Sequence, residues 1–147
     1  MENSDIFVCI DHVGYAVPDL DAAIKFHTEV LGWRVLHRET NQEQGVEEAM
    51  LGTGEQSPLS AQVQLLAPLS PDSTIGKYLA NKGPGIQQVC YRVADIDQAS
   101  ATLRERGVRL LYPAPKTGTG GSRIQFAHPK DTGGILLEIV QPNPAGH

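Results

Sequence analysis

The sequence predicts an α+β fold in which two tandem βαβββ modules build a curved, open, eight-stranded mixed sheet around a cleft. Three observations support this prediction: the chain repeats itself, apolar residues alternate in runs of strand length, and each repeat contains one segment with helical spacing. The 147 residues suffice for one domain, expected to span residues 1–147. We place the repeats at about residues 8–68 and 84–142, joined by a linker helix at about residues 72–82.

The repeats are related by an offset of 76 residues, which aligns residues 10–29 with residues 86–105. The identical pairs are Ile10/Ile86, Val13/Val89, Tyr15/Tyr91, Val17/Val93, Asp19/Asp95, Asp21/Asp97, Ala23/Ala99 and Glu29/Glu105. The closing segments, residues 64–68 and 138–142, match at an offset of 74 and both end at proline. This self-similarity indicates a duplicated structural unit.

Each repeat opens with a strand. In the first repeat, Val13, Tyr15 and Val17 form one face, while His12 and Gly14 lie on the other, as alternation requires. We expect the Val13 face to pack under the helices. The opposite face then lines a cleft.

A helix should follow each opening strand. Asp19 or Asp21 in the first repeat, and Asp95 in the second, can accept hydrogen bonds from free amides at a helix start. Residues with helical spacing are Leu20, Ala23, Ile24 and Leu31, then Ile96, Ala99 and Leu103. Gly32 and Gly107 can adopt the left-handed conformation that ends a helix.

Three further strands are expected in each repeat. They comprise residues 34–39, 47–52 and 61–67 in the first repeat, and residues 109–112, 123–127 and 135–141 in the second. Between the repeats, Pro71-Asp72-Ser73 can begin the linker helix, and Lys82-Gly83-Pro84-Gly85 can end it.

Composition excludes several classes of protein. A net charge of -5 without a clustered basic face argues against a nucleic acid partner. No apolar run approaches the roughly 20 residues of a membrane span, and residues 1–5 lack the basic start of a signal peptide, so we expect a cytoplasmic protein. Cys9 and Cys90 have no C-x-x-C spacing and are interpreted as reduced core thiols.

Four polar residues occupy related positions in the repeats. The offsets match His12 with Gln88 on the opening strands, and Gln64 with Glu138 on the closing strands. One imidazole, two amide oxygens and one carboxylate can bind a divalent metal and leave room for substrate. A lone buried histidine is more often a hydrogen-bonded core residue, but the symmetry of the four positions favours a metal site.

Six segments in order carry a resemblance to a known family. They are IDHVGYAV (residues 10–17), EQGVEEAM (43–50), VQLLAPL (63–69), GTGGSRI (118–124), FAHPK (126–130) and LE (137–138). Through them the chain resembles the vicinal oxygen chelate superfamily, which includes glyoxalases and bleomycin resistance proteins, and within it the methylmalonyl-CoA epimerase family. The resemblance covers nearly the whole chain.

The resemblance implies metal ligands at His12, Gln64 and Glu138, with Glu48 as an acid/base residue. The family usually has a second histidine where this sequence has Gln88, and an amide oxygen should bind a transition metal more weakly. The implied cofactor is a divalent metal, with cobalt as first choice in vitro and manganese, nickel, zinc or magnesium as alternatives. A homodimer acting on a small-molecule acyl-CoA is implied as well.

The implied reaction interconverts (2R)- and (2S)-methylmalonyl-CoA by removing and returning the C2 proton through an enolate. Glu48 and Glu138 are the expected acid/base groups, and alternation allows only one of Glu47 and Glu48 to face the cleft. Lys116 and Arg123, in a glycine-rich segment, are possible substrate contacts, although such segments are more often simple turns.

Other functions compete with this interpretation. A glyoxalase-type isomerase also transfers protons at a metal, and an extradiol dioxygenase needs two histidines and a carboxylate where one histidine is available here. A non-enzymatic protein that binds a small molecule or an antibiotic needs no base. Glu48 together with Glu138 is the feature that favours an enzyme.

Overall fold

The computed structural model describes residues 6–144, which form two compact units. The first unit comprises residues 12–87, and the second comprises residues 6–11 and 88–144. Residues 1–5, on which the expectation of no signal peptide depended, and residues 145–147 lie outside the described residues.

The first unit contains a mixed four-stranded sheet in the order β2-β3-β4-β1. Its elements are β1 (Phe7–Ala16, which enters this unit at His12), α1 (Leu20–Lys25), β2 (Arg34–Asn41), β3 (Val46–Gly52), β4 (Gln62–Pro68) and α2 (Thr74–Lys82). The pairing of β1 with β4 is parallel, whereas β2–β3 and β3–β4 are antiparallel.

The second unit repeats this arrangement in the order β5-β8-β7-β6. Its elements are β5 (Gly85–Val93, which enters this unit at Gln88), α3 (Ile96–Glu105), β6 (Lys116–Thr117), β7 (Arg123–Ala127) and β8 (Leu137–Gln141). Again the opening strand pairs in parallel with the closing strand, β5 with β8, and the other pairs are antiparallel. The predicted α+β fold, with two tandem βαβββ modules and eight strands in mixed pairing, is confirmed.

Aspartate side chains begin the helices that follow the opening strands. Asp19 Oδ1 accepts a hydrogen bond from the Ala22 amide at 3.0 Å, and Asp95 Oδ1 accepts bonds from two amides at 3.1 Å. Gly32 and Gly107 have φ angles of 75° and 88°, the left-handed conformation predicted at both helix ends. The structure adds a π-helical turn, Phe26–Val30, after α1. Among the described helices, none is long and apolar enough to cross a membrane.

Each unit buries one face of its sheet under a helix, and we call this side the helix face. In the first unit, Leu20 of α1 packs with Leu51 and Leu65, and Tyr15 and Val17 contact this cluster, as the alternation predicts. The corresponding cluster of the second unit contains Val93, Ile96, Ala99 and Ile139. The helix that follows each opening strand, α1 or α3, therefore covers this side of its sheet.

The predicted strand at residues 109–112 is wrong in its extent. Of these four residues, only Leu110 forms a β-bridge, an isolated one to Ala127. Regular strand pairing with β7 begins later in the chain, at Lys116–Thr117. A side chain takes the place of the missing strand pairing, because Gln125 Oε1 accepts from the Tyr112 amide at 3.0 Å and Gln125 Nε2 donates to the Tyr112 carbonyl at 2.9 Å. Gln125 is completely buried.

Replacing Gln125 by leucine should lower the free energy of unfolding by roughly 1 to 3 kcal/mol, because the partly buried Tyr112 amide loses its acceptor and the Tyr112 carbonyl retains only the bond from Arg104. Urea unfolding followed by circular dichroism measures the change. Gln98→Leu, on the exposed surface of α3, is the matched control and should change stability by no more than about 0.5 kcal/mol. Equal losses in both variants would contradict a structural role for the Gln125 amide.

Candidate functional site

Strand register places three polar side chains on one side of the first unit. Gly14 of β1 pairs with Gln64 of β4, and His12, two residues earlier on β1, shares their face. Leu66, two residues after Gln64, pairs with Glu48 of β3. His12, Glu48 and Gln64 thus lie on the side opposite the helix face, which we call the polar face of the first unit.

A hydrogen bond joins two of these side chains. Gln64 Nε2 donates to Glu48 Oε1 at 3.1 Å, and His12, Glu48 and Gln64 are only 3%, 3% and 5% exposed. A buried carboxylate is costly unless it accepts hydrogen bonds, and the amide of Gln64 supplies one. Because this amide donates through its nitrogen, its oxygen is the atom that can serve as a metal donor.

Glu47, the acidic neighbour of Glu48, has a different environment. It pairs with Ala67 on the helix face, and its side chain is 41% exposed and lies 3.6 Å from the guanidinium of Arg38. Of the two adjacent glutamates, Glu48 is therefore the one on the polar face, whereas Glu47 belongs to a surface ion pair.

The second unit has a polar face of its own. Cys90 of β5 pairs with Glu138 of β8, and Gln88 lies two residues before Cys90 on the same face. Gln88 Nε2 donates to Glu138 Oε1 at 3.3 Å, and both side chains are 5% exposed. Phe126 of β7 pairs with Glu138 from the other side. Each unit thus contains a buried glutamate that accepts a hydrogen bond from a glutamine.

Cys90 is a neighbour of Glu138 that the sequence interpretation assigned only to the core. Burial raises the pKa of its thiol well above the ordinary value, and the negative charges of Glu138 and Asp11 act in the same direction, while Arg92 opposes them. Arg92 Nε and Asp11 Oδ1 form an ion pair at 2.8 Å. The offset of 76 residues, which matches Cys90 with Gly14, was the signal that could have placed this thiol on the polar face.

Strand β2 extends the polar face of the first unit in a way that the sequence interpretation missed. Glu39 pairs with Glu48, and His37 pairs with Met50. His37 Nε2 and Glu39 Oε1 lie 2.5 Å apart, and both side chains are about one-third exposed. Finding this pair from sequence requires the register between β2 and β3, including a shift between Val35 and His37.

Lys116 and Arg123 lie on opposite faces of the sheet in their unit. Lys116 pairs with Ile124, whose partner Val140 shares the face of Glu138. Lys116 is exposed, with Nζ 4.4 Å from the centre of the Tyr112 ring. Arg123 pairs with Gln141 and forms two hydrogen bonds to Asp97 at the start of α3, at 2.9 and 3.0 Å. Arg123 is therefore on the helix face, and a substrate contact by either residue stays a prediction.

The chemistry of these donors suits a divalent cation. The predicted site residues on the polar faces supply an imidazole, two amides and two carboxylates, which are nitrogen and oxygen donors that first-row divalent metals and magnesium accept. They are His12, Gln64, Gln88, Glu48 and Glu138. Enzymes with the glyoxalase fold use divalent metals. The residues present in each unit therefore fit such a cofactor.

Residues 11–126 match the model of the Glyoxalase/Bleomycin resistance protein/Dioxygenase superfamily. Together with the duplicated βαβββ modules, this match shows that the chain belongs to that superfamily. Among its relatives, the ethylmalonyl-CoA/methylmalonyl-CoA epimerase of Cereibacter sphaeroides is 36% identical over 134 residues, which cover 90% of this chain and 96% of the relative. Within the superfamily, the chain belongs with the methylmalonyl-CoA epimerases.

Solved structures agree with this relationship. The methylmalonyl-CoA epimerase from Mycobacterium tuberculosis is 47% identical, with a TM-score of 0.91 over 96% of this chain and 92% of that chain. A methylmalonyl-CoA epimerase in complex with methylmalonyl-CoA and NH4+ is 43% identical, with a TM-score of 0.90 over 95% of this chain and 98% of that chain. The similarity extends over nearly the full length of all three proteins.

Cys90 should stay unmodified by a thiol reagent in the native protein at pH 8, because burial and nearby carboxylates disfavour the thiolate that reacts. Its modification should be at least about a hundredfold slower than in the protein unfolded by guanidinium chloride. Absorbance of the released chromophore measures both rates. Cys9→Ser isolates the signal of Cys90, and rapid labelling of that folded variant would contradict the prediction.

Proposed function

We propose that this chain is a methylmalonyl-CoA epimerase, an isomerase that interconverts (2R)- and (2S)-methylmalonyl-CoA. The observation that carries the proposal is Glu48, a carboxylate held by the Gln64 amide on the face that also carries His12. The relatives named for this activity, and the related structure that contains methylmalonyl-CoA, support the same substrate.

The proposed reaction needs a base near C2 of the substrate. The C2 hydrogen lies between a thioester and a carboxylate, so its removal leaves a negative charge spread over both groups. Glu48 is proposed to remove this proton, because its carboxylate is shielded from bulk water and its orientation is restrained by the hydrogen bond from Gln64. Inversion also needs a second acid/base group on the opposite face of C2, which carries a proton when Glu48 does not, and Glu138 is proposed for that role.

We propose that His12, Gln64, Gln88 and Glu138 hold one divalent cation, with cobalt as the first ion to test and manganese, nickel, zinc and magnesium after it. Such a cation would supply a Lewis acid that offsets the negative charge developing on the substrate. The hydrogen bonds support the donor assignment, since Gln64 and Gln88 each donate through nitrogen to a glutamate, and the amide oxygen is the atom that a cation would bind.

Lys116 and Arg123 are proposed as contacts for the anionic parts of the acyl-CoA. The exposed ammonium of Lys116 supports its assignment, because it projects from a short strand beside the glycine-rich turn. Arg123 keeps its charge, since the hydrogen bond from its guanidinium to Asp97 raises the pKa of Arg123. A contact by Arg123 would have to compete with Asp97.

The proposal includes a cytoplasmic homodimer. Exposed apolar side chains near the start of β1 support self-association, because Phe7, Val8 and Ile10 are 37%, 46% and 49% exposed. Nucleic acid is not a proposed partner, given the net charge of -5.

Replacing Glu48 by glutamine should abolish epimerisation and leave metal binding intact. The variant retains a polar side chain of nearly equal size but loses the proton acceptor, so C2 exchange should slow by about 10²- to 10⁴-fold. Proton NMR of methylmalonyl-CoA in deuterated water, with metal-loaded protein, follows this exchange.

Glu47→Gln is the matched control, because it makes the same chemical change one residue away on the helix face. It should exchange the C2 proton at nearly the wild-type rate. An unimpaired exchange rate in Glu48→Gln would refute the assignment of the base. No exchange by the wild-type protein with any of the five metals would favour a non-enzymatic binding protein.

Replacing Gln88 by histidine should tighten cobalt binding by about tenfold or more, because imidazole is a better ligand for this ion than an amide oxygen. Gln88→Ala should weaken binding. Isothermal titration calorimetry with cobalt measures the Kd of each variant, and Gln98→His on the exposed surface of α3 controls for an added surface imidazole. If neither change at Gln88 alters the Kd, Gln88 is not a ligand.

A further inference from the structure

Met50 is an apolar side chain within a row of polar ones. On the polar face of the first unit it pairs with Gln64 on one side and with His37 on the other, and it follows Glu48 by two residues on β3. Its side chain is only 7% exposed. A thioether in this position therefore adjoins both the proposed base and a proposed metal ligand.

The two apolar neighbours of Glu48 on β3 differ in what they contact. Val46 packs with Leu66 and Ile75, in a cluster that α2 covers. Met50 belongs to none of the apolar clusters formed by the described residues. The Val46 side of Glu48 is thus filled by the protein itself, and Met50 is the apolar neighbour of Glu48 that an alkyl group of a ligand would contact.

The substrate has one such group. Its C2 atom carries four substituents: the hydrogen that leaves, the thioester, the carboxylate and one alkyl group. When the hydrogen faces Glu48, the alkyl substituent must also lie close to Glu48. The oxygen-bearing groups suit polar neighbours such as Gln64, and the alkyl group suits an apolar one.

We infer that Met50 forms the wall against which the C2 alkyl substituent packs, so that this residue sets which 2-alkylmalonyl thioesters the site accepts. The inference rests on the proposed function and names the specificity of the same site. Methionine is unbranched and flexible, so this wall adapts to substituents of different size. The wild-type protein should accept ethylmalonyl-CoA as well as methylmalonyl-CoA.

The test compares the two thioesters in the wild-type protein and in Met50→Ala. The shorter side chain leaves space for the extra methylene, so the preference for ethylmalonyl-CoA over methylmalonyl-CoA should rise by about tenfold. Calorimetry gives the ratio of the two Kd values, and C2 deuterium exchange gives the ratio of kcat/KM. Met50→Val, with a shorter side chain suited to a strand, should shift both ratios in the same direction.

Val46→Ala is the matched control, since it shortens the other apolar neighbour of Glu48 on the same strand and face. It should leave both ratios at the wild-type values. Wild-type ratios in folded Met50→Ala or Met50→Val, or an equal shift in Val46→Ala, would overturn the inference. Absence of C2 exchange in the wild-type protein would instead refute the proposed function, while the Kd ratios would still report on the wall.

Discussion

The parallel pairing of β1 with β4 determines where the polar side chains of the first unit lie. Gly14 pairs with Gln64, which places His12 and Gln64 on one face and leaves Tyr15 and Leu65 under α1. Since side chains alternate along a strand, a slip of one residue would move every polar group under the helix. Burial of the apolar face therefore determines the register, and the register determines the site.

The same parallel pairing recurs between β5 and β8. In both units it places a buried glutamate that needs a hydrogen-bond donor. Glu48 and Glu138 are both almost fully buried, and each accepts a hydrogen bond from a glutamine of its own unit. A buried carboxylate without such a donor would be strongly disfavoured. The glutamines thus stabilise the charges that the proposed chemistry needs.

Local features of the sequence were predictable and long-range ones were less so. The aspartate caps and the glycines that end the helices depend on residues within one helical turn, and Asp19, Asp95, Gly32 and Gly107 all behave as predicted. The strand expected at residues 109–112 is reduced to one bridge, because the distant side chain of Gln125 takes the hydrogen bonds of Tyr112. No local pattern around Tyr112 encodes that contact.

The sequence by itself determined the duplicated βαβββ modules, because periodicity and self-similarity reflect the local geometry of strands and helices. It also predicted which face of each opening strand is polar. Only the tertiary structure decided that Gln64 holds Glu48, that Cys90 lies against Glu138, and that Met50 lies between His37 and Gln64. These neighbours belong to different strands, and their register depends on how the whole apolar face packs rather than on the residues beside them in sequence.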